Sequence, residues 1–385
     1  MPHMSFLRNV MNRLNVDFTT NTRKFLIYLF IFFVILTINL VGYKWWKFSS
    51  QPLIPKGTSL VYELKPKTSV YHFTENLHQL GVLSVEKQYQ FILFAYLHGD
   101  AHHLKAGEYL LEGGRLPQAI LKKLTQGQFM WRHITFLEGW DFQKMRMTIQ
   151  ANSYLRHTLS QVTEEEIMTK LGHTGLSPEG QFFPDTYFFT RGTSDIVILK
   201  KAFALMQKRF NDAWNHRASG LSYEEPYQAL IAASIIEKES GFKPERPLIA
   251  GVLLNRWQSG MPLQIDSTVS YGLGGIVHLT KLNLGQLTPY NTYLNKGWPP
   301  TPIAMPGLDA IYAALHPRDT QYFYFVAAVG HGHYFSTSLN EHHKAVARYK
   351  AFSKKLGISI VPYLLPDLFA HFEWVPRMEP ELHSL

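Results

Sequence analysis

Between positions 25 and 43 the chain carries no charged side chain: FLIYLFIFFVILTINLVGY. As an α-helix this run rises roughly 28 Å, close to the thickness of a bilayer's hydrocarbon core. Thr37, Asn39 and Gly42 alone interrupt the apolar character, and a helix satisfies Thr and Asn through its own carbonyls. Arg23-Lys24 stand on one flank and Lys44-Trp45-Trp46-Lys47 on the other; tryptophans at that place read as an interfacial belt. Arg8, Arg13, Arg23 and Lys24 outweigh Asp17 upstream. The bias predicts residues 1–24 in the cytoplasm, a transmembrane anchor at 25–43, and the bulk of the chain outside. A cleaved signal peptide is the alternative; the length of the run and the lack of a small-x-small site after it speak against cleavage.

Beyond the anchor the pattern changes period. Residues 44–58, with Pro52, Pro55 and Gly57, read as a juxtamembrane linker. A small α+β domain is predicted over 59–130. It has a strand at Leu60–Tyr62 and a helix on which Val70, Phe73, Leu77 and Leu80 recur before Gly81. A second amphipathic helix covers 86–98, a strand covers 106–111, and LPQAILKKLTQGQ forms a helix closed by Gly127. A larger α+β domain follows at 131–355, opening with a strand at Ile134–Leu137 and a helix after Glu138-Gly139. Long helices are predicted at 194–217 and 226–240, then a Gly/Pro-rich region at 260–307, a helix near 307–315 and a buried strand at Tyr322–Val329. Residues 356–385 are a proline-rich C-terminal extension.

Composition narrows the function. The chain has 385 residues, 46% of them hydrophobic, which is enough for more than one core. The absence of Cys removes disulfides, thiolate nucleophiles and Cys-ligated zinc together. A net charge of +9 calls for an anionic partner or surface. The Lys and Arg are scattered rather than gathered into a stripe, so lipid head groups or an acidic polymer fit at least as well as nucleic acid.

The most informative stretch is Ile231-Ala-Ala-Ser-Ile-Ile-Glu-Lys-Glu-Ser-Gly241. Ile231, Ala232, Ile235 and Ile236 share a helical face; Glu239 falls near its middle and Glu237 on the opposite side, while Leu230 and Ala233 broaden the stripe. Gly241 offers a helix stop. A carboxyl in an apolar setting has its pKa raised, which suits a general acid near neutral pH. The helix pattern alone leaves a buried ion pair of Glu239 with Arg246 or Arg256 equally open.

A set of motifs in order adds to this. They are Leu137-Glu138-Gly139, Glu179-Gly-Gln-Phe-Phe-Pro-Asp-Thr-Tyr187, Ala233-Ser-Ile-Ile-Glu-Lys-Glu239 and Val252-Leu-Leu-Asn-Arg256. Gly260-Met-Pro-Leu-Gln-Ile-Asp-Ser-Thr-Val269, Tyr271-Gly272, Pro289-Tyr-Asn-Thr-Tyr293, Gly297-Trp-Pro-Pro300, Pro306-Gly307 and His333-Tyr-Phe335 continue it. In these the chain resembles the endolytic murein transglycosylase family, the MltG or YceG-like proteins, from the anchor to about residue 350. The resemblance implies a lysozyme-like Glu-bearing helix with Glu239 as the catalytic glutamate, and a LysM-like subdomain at 59–130 that positions glycan. Ser267 departs from it, standing where such proteins usually carry proline. Met305 replaces a small polar residue, and the segment after Gly272 is shorter.

By the same resemblance the chain is a lyase that cleaves the MurNAc–GlcNAc bond of peptidoglycan strands and closes a 1,6-anhydro ring. One carboxyl that gives and then takes a proton suffices, with no metal or cofactor. Candidates for stabilising and binding the sugar are Gln264, Asp266, Tyr271, Tyr290, Asn291 and Tyr293. Asp266 is equally a loop-capping residue, Gln264 and Asn291 equally pins of the Gly/Pro-rich loop, and the tyrosines equally packing groups. Implied partners are glycan strands, membrane lipid through the anchor, and the wall-synthesis machinery, at a bacterial inner membrane.

Rival constellations are few. Glu179 and Asp185 bracket Phe182-Phe183-Pro184 as a carboxylate pair or a turn. His331, His333, His342 and His343 with Glu341 are candidate zinc ligands for a metal-dependent amidase or peptidase, though no HExxH helix accompanies them. A non-catalytic wall-binding protein would leave Glu239 structural. No nucleophile elbow, GxGxxG or P-loop occurs.

Overall fold

The computed structural model describes residues 3–275, 278–328 and 332–355. Its architecture is α+β with an apolar N-terminal helix, and it divides into two compact units, Met1–Trp131 and Arg132–Leu385. The proline-rich extension lies outside the described residues.

In the first unit α1 runs from His3 to Ser50. Its stretch Thr22–Ser50 is long and apolar enough to cross a membrane and contains the predicted 25–43, all of whose residues are exposed. Thr37 donates to the Phe33 carbonyl at 2.7 Å and Asn39 to that of Ile35 at 2.8 Å, so both polar side chains are satisfied within the helix. The expected linker at 44–58 is different in kind. Helix α1 continues through residue 50, Phe48 is 5% exposed, and Leu53 and Ile54 are fully buried. The prolines and glycine that mark the linker lie where the chain turns into a core.

That core is closed by an antiparallel ribbon, β1 (Ser59–Leu64) with β2 (Gly107–Glu112), and the helices between its strands, α2 (Val70–Gln79) and α3 (Val85–Leu97). Ser69 and Ser84 cap the two helices through their side chains. Helix α4 (Pro117–Gln126) ends at Gly127, whose φ of 70° is the left-handed conformation a glycine adopts without strain.

The second unit opens with β3 (Arg132–Thr135), α5 (Phe142–Ala151), α6 (Glu164–Leu171) and β4 (Thr186–Phe189), with β3 and β4 antiparallel. These bury Phe142, Met145, Phe182 and Phe189 against the first turns of α7 (Asp195–Asn215). A second core surrounds α8 (Pro226–Glu239), with α9 (Arg246–Gln258) packed beside it. Then come α10 (Asp266–Gly272), α11 (Lys281–Leu284), α12 (Leu308–Leu315), the hairpin β5 (Tyr324–Ala327) and β6 (His333–Ser336), and α13 (Leu339–Lys355).

Two expectations change here. The strand predicted at Tyr322–Val329 is only Tyr324–Ala327, and Val326 alone within it is buried. Its aromatic density serves a two-stranded hairpin against α9 and α13 rather than a central strand. Helix α8 is buried from Ala229 through Ile236 on every side, so it has no single apolar face. It ends because Ser240 turns extended (φ −138°, ψ 120°), not through a left-handed Gly241.

Gly251 in α9 meets the chain at 318–320 so closely that a Cβ there would lie 2.5 Å from the Arg318 carbonyl oxygen. Gly251→Ala therefore destabilises the protein by about 1–3 kcal/mol, although Ala is the better helix former by about 1 kcal/mol. Denaturant unfolding of the detergent-solubilised chain, followed by tryptophan fluorescence, measures it. A gain in stability would show that this contact yields.

Candidate active site

Glu239 is the last residue of α8, and Ser267 stands at the second position of α10. The two meet: the Ser267 hydroxyl donates to Glu239 Oε1 at 2.6 Å. Burial pushes the Glu239 carboxyl above its ordinary value, and the Ser267 hydrogen bond and the nearby charge of His333 only partly offset this. Among the described residues it makes no salt bridge.

Both arginines that had been open as ion-pair partners are engaged elsewhere. Arg246 holds Glu237 in a two-pronged pair, Nη2 to Oε1 at 2.7 Å and Nη1 to Oε2 at 3.2 Å, with both side chains 5% exposed or less. The Gly307 amide donates to the same Glu237 carboxylate at 2.9 Å. Burial pushes Glu237 up, and Arg246 and that amide pull it back. Arg256 donates to the carbonyls of Phe323, Leu263 and Pro262 and to Gln264 Oε1. The helix therefore carries two carboxylates of opposite kind, one ion-paired and one with a neutral donor.

Asp266 adjoins Ser267 on α10. Its Oδ1 accepts from the Tyr293 hydroxyl at 2.5 Å, while its buried Oδ2 has no hydrogen-bond partner. Desolvation raises this carboxyl to about 6; the Tyr293 bond lowers it and the charge of Glu239 raises it further. That last influence shows the two acids feel each other. Segment 264–268 is tied to 291–293: Gln264 N–H donates to the Thr292 carbonyl at 3.0 Å, Ile265 N–H to the Thr292 hydroxyl at 2.9 Å, and Thr268 pairs with Thr292 at 2.9 Å.

The remaining sequence candidates divide by environment. Gln264 is exposed and left-handed at φ 53°, a conformation that costs a non-glycine residue about 1–2 kcal/mol. Asn291 is fully buried, its amide donating to Leu284 and Gln286 carbonyls at 3.0 and 2.7 Å, so it pins the loop. Tyr271 and Tyr290 stack edge-to-face at 4.9 Å, and Tyr290 bonds the Thr301 hydroxyl. Tyr293 holds Asp266.

Other partners were not marked by the sequence pattern. Ser267 had stood out only as a departure from proline, a residue that has no hydroxyl to give. Glu245 accepts from Ser240 at 2.9 Å and pairs with His333 Nδ1 at 2.5 Å. Burial pushes Glu245 up, but His333 and Ser240 outweigh it and the carboxyl ends below its ordinary value. Glu239-Ser240 at the helix end was the available signal; Glu245 and His333 are far apart in sequence and only the fold unites them.

The zinc constellation does not assemble among the described residues: no three His, Asp or Glu side chains converge as ligands. His333 faces Glu245, His342 stacks on Tyr324 at 5.2 Å, and Glu341 accepts from Thr337. His331 lies outside the described residues. Glu179 and Asp185 do not face one another either. Asp185 is exposed and caps the Thr186 amide, whereas Glu179 is 4% exposed and accepts from the Phe142 amide at 3.1 Å and the Tyr271 hydroxyl at 3.0 Å.

Residues 62–348 match the model of the YceG-like family. The chain belongs to that family. It is 28% identical over 312 residues to the endolytic murein transglycosylase of Bacillus subtilis strain 168, covering 76% of this chain and 85% of the relative. To the protein of that name in Streptococcus pneumoniae serotype 2 strain D39 it is 26% identical over 282 residues, covering 64% of this chain and 51% of the relative. Among solved structures a putative YceG-like protein of Listeria monocytogenes aligns with a TM-score of 0.47 and 25% identity, covering 74% of this chain and 99% of that one. YceG-like membership agrees with the resemblance read from the ordered motifs.

Glu179 gives this family member a testable pH dependence. Burial raises its carboxyl from 4.5 to about 7, against the Phe142 and Tyr271 hydrogen bonds. The folded chain thus holds this proton where the unfolded chain has released it. Stability contributed at this site is full below about pH 4.5 and falls by about 3 kcal/mol as pH rises towards 7. Glu179→Gln keeps an acceptor for Phe142 and Tyr271 and removes the titration. It should match wild type at pH about 4 and exceed it at pH about 8 in denaturant midpoint. Equal midpoints at both pH values would mean that Glu179 does not hold its proton on folding.

Proposed function

We propose that this chain is a membrane-anchored lytic transglycosylase that cuts peptidoglycan strands internally and so ends their elongation, with Glu239 as acid and then base. One observation carries the assignment to Glu239: a desolvated carboxyl at a helix end, hydrogen-bonded to a hydroxyl and free of any salt bridge among the described residues, in a YceG-like chain. The relatives' name, endolytic murein transglycosylase, supports the substrate and the reaction.

The chemistry follows from that carboxyl. Burial raises the Glu239 carboxyl and so favours its protonated form, which donates its proton to the oxygen between N-acetylmuramic acid and N-acetylglucosamine. The bond from that oxygen to the muramic anomeric carbon breaks, and positive charge develops on the sugar. The muramic C6 hydroxyl then attacks the same carbon while ionised Glu239 takes its proton, which closes the 1,6-anhydro ring and restores the acid. No water enters the product. Two-carboxylate glycosidases need a second group to act on water or to form a covalent intermediate, and this route needs neither.

Asp266 is the group best suited to stabilise the developing charge, because the Tyr293 hydroxyl orients one oxygen while the other has no partner. Gln264 offers an exposed amide for an acetamido group, and Tyr271 with Tyr290 an aromatic wall. The small unit's β1–α2–α3–β2 arrangement supports a LysM-like role in holding glycan. The apolar helix and the Arg/Lys bias before it support a single-pass protein of the bacterial inner membrane, with its N-terminus in the cytoplasm.

Full-length protein acting on purified glycan strands should leave 1,6-anhydromuramic ends, each lighter by one water than a hydrolase's product in mass spectrometry. Glu239→Gln should lower the rate by about a thousandfold or more with the fold retained. Hydrolysed ends, cleaved stem peptides or an active Glu239→Gln variant would each overturn the assignment.

Ser267 supplies a second readout. Its hydrogen bond favours ionised Glu239, so Ser267→Ala raises the carboxyl further. The alkaline limb of kcat/KM, where the acid loses its proton, should move to higher pH. A limb that stays put or moves down would separate Ser267 from the acid's titration.

A further inference from the structure

Among the described residues one face of α3 is largely open, its only ring contact that of Tyr96 with His102, edge-on at 5.7 Å. Val85, Tyr89, Leu93, Tyr96 and Leu97 are 50%, 61%, 52%, 55% and 66% exposed. Their spacing, i, i+4, i+8, i+11 and i+12, puts all five on one side of the helix. The core holds the other side through Gln88, Phe91, Phe94 and Ala95. A stripe this apolar is unusual on a surface open to water.

The contacts between α3 and α1 say which way it faces. Glu86 reaches Lys44 at 3.7 Å, while its neighbour Lys87 donates to the carbonyls of Pro52 at 2.7 Å and Leu53 at 3.2 Å. Trp45 and Phe48 both pack on Phe94, each with ring centroids 5.9 Å apart. Helix α3 thus crosses α1 where the apolar span ends, with its Glu86 side towards the span and its Lys87 side away from it. At 100° per residue Glu86 falls inside the arc of the five exposed apolar residues and Lys87 outside it. The stripe is turned to the end of the unit from which α1 enters the bilayer. Tyr43 and Trp46, 58% and 65% exposed, stand at the same level of α1.

We propose that this face of α3 lies in the interfacial layer of the membrane that α1 spans. The aliphatic side chains enter the acyl boundary, and the Tyr89 and Tyr96 hydroxyls stay among the head groups. Lys47, one turn of α1 beyond Lys44, can meet lipid phosphate there. The small unit is then held by two elements, a spanning helix and a surface helix crossing it, and cannot swing freely about its anchor. The inference rests on the reading of α1 as a membrane anchor.

Because the chain has no cysteine, single labelling sites need no other change. Leu93→Cys, Tyr96→Cys, Phe33→Cys and Lys122→Cys variants of the full chain would carry an environment-sensitive fluorophore. They would be reconstituted one chain per nanodisc of phosphatidylethanolamine and phosphatidylglycerol. Lipids bearing a nitroxide near the head group or at mid-chain then quench by depth. The expected result is Leu93 and Tyr96 labels quenched about twofold or more by the shallow nitroxide, the Phe33 label chiefly by the mid-chain one, and the Lys122 label by neither. Quenching at position 33 with none at 93 and 96 would overturn the surface docking and leave the anchor intact. No quenching at position 33 would overturn the anchor itself. Labels at 93 and 96 that are blue-shifted but unquenched would mean that protein, such as a second copy, covers the stripe, and would equally overturn the proposal.

Discussion

The guanidinium of Arg246 lies against Glu237 with two hydrogen bonds and almost no exposure, and the Gly307 amide completes the carboxylate's coordination. A cation in that place would otherwise be the natural partner of the second carboxyl on the same helix end. Attraction to an arginine would hold Glu239 ionised and unable to act as an acid. Side chains two apart on a helix point to different sides, so one guanidinium serves one of them. Since Arg246 starts α9 and Gly307 starts α12, the pair also fixes where those helices stand relative to α8. The segregation of the two glutamates and the packing of this core are one arrangement.

With its cation withdrawn, Glu239 is tuned by weaker neighbours. Ser267 gives one neutral hydrogen bond, and Asp266 beside it is a second carboxyl whose ionisation the charge on Glu239 opposes. Two acids in such proximity favour one negative charge over two. A state with Glu239 protonated and Asp266 ionised is what the first half of the proposed reaction requires. The pair Glu245–His333 stands further back, joined to the helix end through Ser240, and adds a positive influence on Glu239 without contacting it. Tyr293, by orienting Asp266, links this side to the loop that Asn291 pins from beneath.

The sequence made some of this legible and hid the rest for physical reasons. Helices α2, α3, α4, α7, α8 and α12 announce themselves by their apolar patterns, and Glu239 by its place at the end of an apolar helix. The broad apolar face of the sequence pattern is in the fold no face at all, because α8 is buried on every side and a wheel cannot orient such a helix. Helices α10 and α11 lie in what the sequence marks only as a Gly/Pro-rich region, yet α10 carries Asp266, Ser267 and Tyr271. A one- or two-turn helix has too few residues to show a period, and tertiary contacts to Thr292 hold it. The distinction between Glu237 and Glu239 as ion-pair partner could not be made from spacing, since it depends on where Arg246 arrives.

The segment after the apolar span bears on how near the bilayer the protein works. Prolines at 52 and 55 mark a juxtamembrane linker, and a flexible linker would let the outer part sample a wide volume. Instead Phe48, Leu53 and Ile54 are part of the small unit's core, so the apolar helix runs into that core without a break. A folded unit of about 80 residues has a radius of gyration of only about 12 Å. Glycan held on such a unit would sit within a few tens of ångströms of the bilayer surface, whatever the strand's own length. A wall polymer made at the membrane passes through that layer first, so under the proposed anchoring and glycan binding a rigid attachment would select new strands by position alone. Specificity for nascent glycan then requires no recognition of its chemistry beyond that of peptidoglycan itself.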